Sequence, residues 1–263
     1  MALFRVLAAC LIAALPLAAQ RGPQNSRGAS FGHIHLNSAN PDAAVAFWSD
    51  VIGASPDNRG PLKGVSMIGL LILIGQSDAP GPSAGSAIDH IALHVPDLQL
   101  FIARLAKTPY KGSQPVPGGD RLIIDGPDGV RIELMEDNTM YAPLEFDHIQ
   151  LNSAQPSESQ AWYAKVFGAR KGPADKADKA NTSRLMGVNL IFEQKESAAP
   201  SAGRGIDHIA FEIKGLEAFC KKLAEEGIQL DSPYKVSTEP RMSSAFLTDP
   251  WGTRIGLTEG LGR

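Results

Sequence analysis

The stretch Phe31-Gly32-His33-Ile34-His35-Leu36-Asn37 is written four times along this chain. The other copies are Asp89-His90-Ile91-Ala92-Leu93-His94-Val95, Phe146-Asp147-His148-Ile149-Gln150-Leu151-Asn152 and Asp207-His208-Ile209-Ala210-Phe211-Glu212-Ile213. In each, apolar residues alternate with small or polar ones, the pattern of a β-strand with one buried face. Successive side chains of a strand point to opposite faces. Ile34 and Leu36 are therefore set against His33, His35 and Asn37, and Ile91, Leu93 and Val95 against His90, Ala92 and His94. Likewise Ile149 and Leu151 oppose His148, Gln150 and Asn152, and Ile209, Phe211 and Ile213 oppose His208, Ala210 and Glu212. The chain has six histidines, and all six fall on the non-aliphatic faces of these strands. Histidines scattered at random would not do so.

The surroundings of the copies repeat as well. His33, Asn37-Ser38-Ala39, Pro41, Trp48 and Gly53-Ala54 recur as His148, Asn152-Ser153-Ala154, Pro156, Tyr163 and Gly168-Ala169. Pro127-Asp128-Gly129-Val130-Arg131-Ile132-Glu133-Leu134 recurs as Pro250-Trp251-Gly252-Thr253-Arg254-Ile255-Gly256-Leu257. The chain is a duplicated pair of modules. Copies one and two are expected to form one domain over residues 31–137, and copies three and four a second over 146–260. Within a copy the order reads strand, helix, strands. Asn40-Pro41 can cap and start a helix that Gly53 closes. Leu98, Phe101, Ile102 and Leu105, and Leu216, Phe219 and Leu223, have helical spacing. Pro-Asp-Gly and Pro-Trp-Gly are turns between the last two strands.

The first residues do not belong to the fold. Arg5, the apolar run Val6–Leu17 and the small residues before Gln20 predict a cleavable signal peptide over residues 1–19, followed by a flexible leader over 20–30. The run is shorter than the roughly 20 residues a membrane span needs. An exported protein that does not span a membrane is expected. Cys10 leaves with the signal, so the mature chain keeps Cys220 alone and no intrachain disulfide. A formal net charge of −3 gives no footprint for nucleic acid. Nothing in the sequence specifies an oligomeric state.

A βαβββ unit opened by Asp-His-Ile and closed by Asp-Pro-x-Gly-x-x-Ile-Glu-Leu resembles the vicinal oxygen chelate superfamily. That superfamily includes glyoxalase I, type I extradiol dioxygenases, fosfomycin and bleomycin resistance proteins, and methylmalonyl-CoA epimerase. The resemblance covers nearly all of residues 31–260. It implies an α+β fold of four βαβββ modules paired into two such domains. In the family, two modules curl around a cleft, and metal ligands come from their first and last strands. Carried over, these positions are His33, His90 and Glu133. By alternation Glu133 shares a strand face with Arg131 and Met135. Two imidazoles and a carboxylate suit a divalent metal ion, Fe(II) or Mn(II) by preference and Zn(II) or Ni(II) otherwise. His35 and His94, on the same strand faces as the ligand histidines, become the candidate catalytic acid–base groups.

The second half departs from the pattern: Gly256 stands for Glu133, Gln150 for His35 and Glu212 for His94. With Glu212 or Glu193 as its only candidate substitutes, it is expected to shape the substrate cleft rather than hold metal through His148 and His208. Arg131 and Arg254 read as ion-pair residues, and Asn37 and Asn152 as strand-end or capping residues. The function implied is dioxygenase-like chemistry on a small substrate that chelates the metal through vicinal oxygens. The alternatives are a non-catalytic ligand-binding protein of the bleomycin-resistance kind, or a glyoxalase- or epimerase-type lyase or isomerase. Glyoxalase I recruits a second carboxylate from the other module, and Gly69–Gln76, the strand expected to supply it, has no acidic residue.

Overall fold

The computed structural model describes residues 23–78, 81–110, 112–115, 119–172, 181–239 and 241–261. The expected signal segment, 1–19, lies outside them. Each copy folds as one βαβββ module. The first comprises β1 (Ala29–Ser38), α1 (Pro41–Ala46) running on into a π-helical turn (Phe47–Ile52), β2 (Ser55–Pro56), β3 (Lys63–Met67) and β4 (Leu70–Gln76). The second has β5 (Ile88–Val95), α2 (Leu98–Leu105), β6 (Gly112–Pro115), β7 (Arg121–Asp125) and β8 (Arg131–Glu136). The third has β9 (Glu145–Ser153), α3 (Pro156–Phe167), β10 (Arg170–Lys171), β11 (Thr182–Leu185) and β12 (Val188–Gln194). The fourth has β13 (Ile206–Ile213), α4 (Leu216–Glu225), β14 (Ser232–Thr238), β15 (Arg241–Thr248) and β16 (Arg254–Glu259). The helix signals act as expected. The Asn40 side chain accepts a hydrogen bond from Ala43 N at 3.1 Å, and Gly53 takes the left-handed conformation (φ 98°) that ends the first helix.

The modules pair differently from the expectation. One eight-stranded sheet runs β14-β15-β16-β13-β1-β4-β3-β2 and the other β10-β11-β12-β9-β5-β8-β7-β6. Module one thus shares a sheet with module four, and module two with module three, through the antiparallel joints β1–β13 and β5–β9. Internal repeats reveal which copies are alike, but the free edge of a first strand can accept any other copy's first strand. The connectors follow the crossed pairing. They cross from sheet to sheet side by side, with Ala87 N bonded to Ala199 O at 2.8 Å and Gly205 N to Gly81 O at 3.2 Å.

The aliphatic faces of all four first strands join one continuous core. Phe31 on β1 stacks on Phe146 of β9 at 5.8 Å, and Phe211 on β13 meets Phe167 at the end of α3 at 4.6 Å between ring centroids. The two sheets therefore share an interior, and their histidine faces point away from it. The leader is tied down from Asn25 onward, contrary to the expectation of a flexible segment. Asn25 Nδ2 donates to Phe167 O at 2.8 Å and Asn25 Oδ1 accepts from Ala29 N at 3.1 Å, while Arg27 pairs with Glu226 at 3.4 Å.

Tyr163, fully buried on α3, donates its hydroxyl to Asp249 Oδ2 at 3.0 Å. Burial raises the Asp249 carboxyl above its ordinary range, against the hydrogen bonds from Thr253 and Tyr163 that lower it. A raised carboxyl favours folding below the ordinary carboxylate value of about 4 and loses that contribution as pH rises through its folded value. Tyr163→Phe removes a donor from the ionised form. The loss of stability relative to wild type is therefore expected to grow from pH 4 to pH 7, reaching about 1–3 kcal/mol in urea unfolding. A pH-independent difference would assign the loss to packing alone.

Candidate metal centre

A β-bulge precedes the first histidine of every copy. In the β1–β13 ladder Phe31 pairs with Phe211 and His33 with Ala210, so Gly32 is extra; His35 pairs with His208 and Leu36 with Ile206, so Asp207 is extra. In the β5–β9 ladder Asp89 and Asp147 are the extra residues in the same way. A bulge re-aims side chains and breaks the alternation of the strand. Ile88 and Ile91, three residues apart, are both fully buried in the core, as are Ile206 and Ile209. The intervening Asp and His thus lie together on the other face. His90 Nδ1 meets Asp89 Oδ1 at 3.0 Å, His148 Nδ1 meets Asp147 Oδ2 at 2.6 Å, and His208 Nδ1 meets Asp207 Oδ2 at 2.6 Å. A carboxylate accepts only, so each of these imidazoles carries its proton on Nδ1 and turns Nε2 outward.

Two clusters result. In the β9-β5-β8 region, Ala92 is level with His148 on one side and Glu133 on the other, and His90 stands two residues away on the middle strand. Glu133 Oε2 lies 3.5 Å from His90 Nε2 and 3.9 Å from His148 Nε2. The two rings are 5.9 Å apart at 67°. Ala92 leaves space where a larger side chain would fill the floor. His90 Nε2 is buried and faces the Glu133 carboxylate at 3.5 Å, too long for a good hydrogen bond. Two imidazoles held by carboxylates and one carboxylate facing them are a donor set that fits a divalent ion. Three potential ligand atoms within 4.8 Å of one another bear this out.

His90 and Glu133 are thus together as expected, but His33 is not with them. It belongs to the other sheet, where it groups with His35 and His208; crossed pairing places copy three, not copy one, opposite copy two. His148 takes the place expected of His33. His35 lies flat against His208, with centroids 4.7 Å apart at 7°, in the other sheet from the His90 cluster. His94 faces the carboxylate behind His148: its Nε2 is 3.4 Å from Asp147 Oδ1. The bulge residues Asp89, Asp147 and Asp207 carried no role in the sequence reading. Their signal was the three-residue spacing of core positions around each Asp-His pair.

The supporting contacts are built twice. Asn152 Nδ2 donates to Asp89 Oδ2 at 3.1 Å and Asn37 Nδ2 to Asp207 Oδ1 at 3.3 Å, so these asparagines clamp the carboxylates rather than cap strands. Arg131 approaches Asp89 at 3.7 Å and Asp125 at 3.1 Å, and Arg254 pairs with Asp207 at 2.9 Å. Arg121 takes Glu133 Oε1 at 3.3 Å, leaving Oε2 for the imidazoles. Burial would lower the His90 imidazole, but Asp89 and Glu133 on either side raise it. Burial likewise would raise Glu133 and Asp89, yet His90 lowers both, Asp89 to about 2. Burial and the neighbouring His208 depress His35 to about 3. Neither expected substitute for the missing carboxylate is a member of the cluster of His33, His35 and His208. Glu212 is engaged by Thr258 Oγ1 at 2.8 Å and Gly260 N at 2.7 Å. Glu193 accepts from Gln150 Nε2 at 3.2 Å, beside the first cluster.

Four βαβββ modules in two mixed sheets, each with two first strands joined at its centre, define the architecture of paired vicinal-oxygen-chelate domains. A family model, Glyoxalase/Bleomycin resistance protein/Dioxygenase superfamily, matches residues 30–134 and 145–257, and the chain belongs to that superfamily. Among solved structures it is similar to glyoxalase I from Zea mays, with a TM-score of 0.65 at 16% identity over 88% of this chain and 92% of that one. It is also similar to a putative dioxygenase from Bacillus subtilis, with a TM-score of 0.63 at 15% identity over 90% and 86%. Comparison with curated proteins finds no match. Identities at this level speak for the fold alone.

Proposed function

We propose that the His90–Glu133–His148 cluster holds a divalent metal ion, Fe(II) or Mn(II) by preference, and that the protein is an exported enzyme of dioxygenase-like chemistry on a small substrate. The observation that carries this reading is the pair of carboxylate-held imidazoles converging on the Glu133 carboxylate, the donor set of non-haem iron oxygenases. Such an ion supplies a Lewis acid for a substrate with two neighbouring oxygens and, if it can change oxidation state, a route to dioxygen. The protein's part is positional. Asp89 and Asp147 keep the Nδ1 protons in place, Arg121 orients Glu133, and Ala92 clears the floor. His94 holds the outer oxygen of Asp147.

A lyase or isomerase reading draws on Glu193. Crossed pairing makes β12, not Gly69–Gln76, the last strand of the partner module, and Glu193 there meets Gln150, which stands opposite His90. Its carboxylate could accept a proton from carbon. The test is elemental analysis of protein purified without chelators, with Glu133→Ala beside it, followed by oxygen uptake on a panel of catechols and enols. Iron or manganese that Glu133→Ala loses, together with oxygen consumption, is the expected result. Zinc or nickel without oxygen uptake would move the assignment to a lyase or isomerase. No Glu133-dependent metal after reconstitution would leave a ligand-binding module. Export predicts a mature N-terminus near Gln20; retention of residues 1–19 would refute it.

A further inference from the structure

We propose that the second cleft binds a small apolar carboxylate without a metal ion, its body against Leu73 and Phe246 and its anionic end at Lys235. Both clefts are built from duplicated modules, so they can be compared position by position. In the matching registers of β7–β8 and β15–β16, Glu133 corresponds to Gly256, Arg121 to Ser244 and Ile123 to Phe246. Along β12 the residues on the histidine side are Asn189, Ile191 and Glu193, and along β4 they are Leu71, Leu73 and Gly75. Two carboxylates, a guanidinium and an amide in the first cleft thus stand against two glycines, a serine and a leucine in the second.

The exchange puts an apolar surface on the histidine side of the sheet. β4 reads Leu70-Leu71-Ile72-Leu73-Ile74, apolar on both faces, the pattern of a strand covered from both sides. Leu70, Ile72 and Ile74 enter the shared interior. Leu71 and Leu73 form a separate buried cluster with Leu261, against which Leu62 and Met242 pack. A cavity of about 390 Å³ opens on this cluster, lined by Leu73, Leu261 and Phe246 among others. That volume falls within the ~300–1,000 Å³ of pockets that take small organic ligands.

The charges around the cavity choose the head group. Asp207 is saturated: its Oδ2 takes Arg254 at 2.9 Å and His208 Nδ1 at 2.6 Å, and its Oδ1 takes Gly203 N and Asn37. Among the described residues lining the cavity, Lys235 is left as the charge without a counter-ion. It is level with Ser244 on β15, which is level with Thr258 on β16, so polar groups cross this end of the cleft in a row. The His35 and His208 rings lie parallel, 4.7 Å apart at 7°, so no single ion lies in the plane of both. A carboxylate needs no such convergence. Its contact with an ammonium is charge-assisted, and burial of its apolar body supplies the remaining affinity.

The test is titration calorimetry of the full mature chain in the presence of a chelator, so the outcome does not depend on the function proposed above. The probe is octanoate, with 1-octanol as its neutral counterpart. One equivalent of octanoate is expected to bind at least about tenfold more tightly than octanol, the scale of a hydrogen bond to a charged group. Lys235→Met should bring octanoate down to the level of octanol. Lys221→Met, at an exposed pair with Glu217, should change neither. Met242→Trp, which fills the cavity, should weaken both ligands. Octanoate that does not bind, that occupies many weak sites, or that binds Lys235→Met or Met242→Trp as tightly as wild type would overturn the proposal.

Discussion

His148→Ala is expected to lower manganese(II) affinity more than about 100-fold, whereas His33→Ala should leave it within about twofold, if ligands count for more than the outer partners worth 10–100-fold. Manganese is the discriminating probe because it favours sites with a carboxylate, and of the two histidine clusters among the described residues the His90 cluster is the one that includes a carboxylate. Glu133→Ala should behave as His148→Ala. The expectation follows from strand register alone: His148 and Glu133 flank Ala92 on the two neighbours of β5, while His33 flanks Ala210 in the other sheet. Titration followed by the paramagnetic signal of free manganese measures all three. The reverse order, with His33→Ala crippling and His148→Ala silent, would mean that consecutive modules share a cleft and that the crossed sheets are wrong.

Phe211→Ala is expected to cost about 3–5 kcal/mol, as for large aromatics removed from well-packed interiors. Phe211 has no exposed surface and meets the Phe167 ring at 4.6 Å, where β13 of one sheet reaches α3 on the other. Neither sheet can close over the void alone, because its walls belong to both. Against a total stability of about 5–15 kcal/mol such a loss is a large fraction. Val236→Ala, at a side chain 66% exposed on β14, should stay within about 0.5 kcal/mol and serves as the control. A Phe211→Ala effect below about 1 kcal/mol would show that the two sheets do not rely on a common core.

Much of this molecule can be read in its residues. Alternation around each histidine gave the four first strands and their buried faces, and the repeats gave the four modules. Asn40-Pro41 and Gly53 marked a helix at both ends. The pairing of modules could not be read, because strand edges expose the same backbone groups whichever copy they meet. That single ambiguity moved His33 out of the expected ligand set and brought His148 in. The aspartates escaped for a different reason. Strict alternation puts Asp147 and His148 on opposite faces, and only a bulge turns them to the same one. The three-residue interval between Phe146 and Ile149, and between Ile88 and Ile91, recorded the bulge all along.

The crossed sheets also separate covalent continuity from structural integrity. The two chain halves meet at residues 137–144, a loop on which Tyr141 is fully exposed. Each sheet draws one first strand from either side of that loop, and each histidine cluster does the same. A backbone break at Tyr141 would leave two pieces clasped through the β1–β13 and β5–β9 ladders and one interior, like interlaced fingers rather than beads on a string. Neither piece on its own holds all three residues of either histidine cluster, so both clusters belong to the clasp.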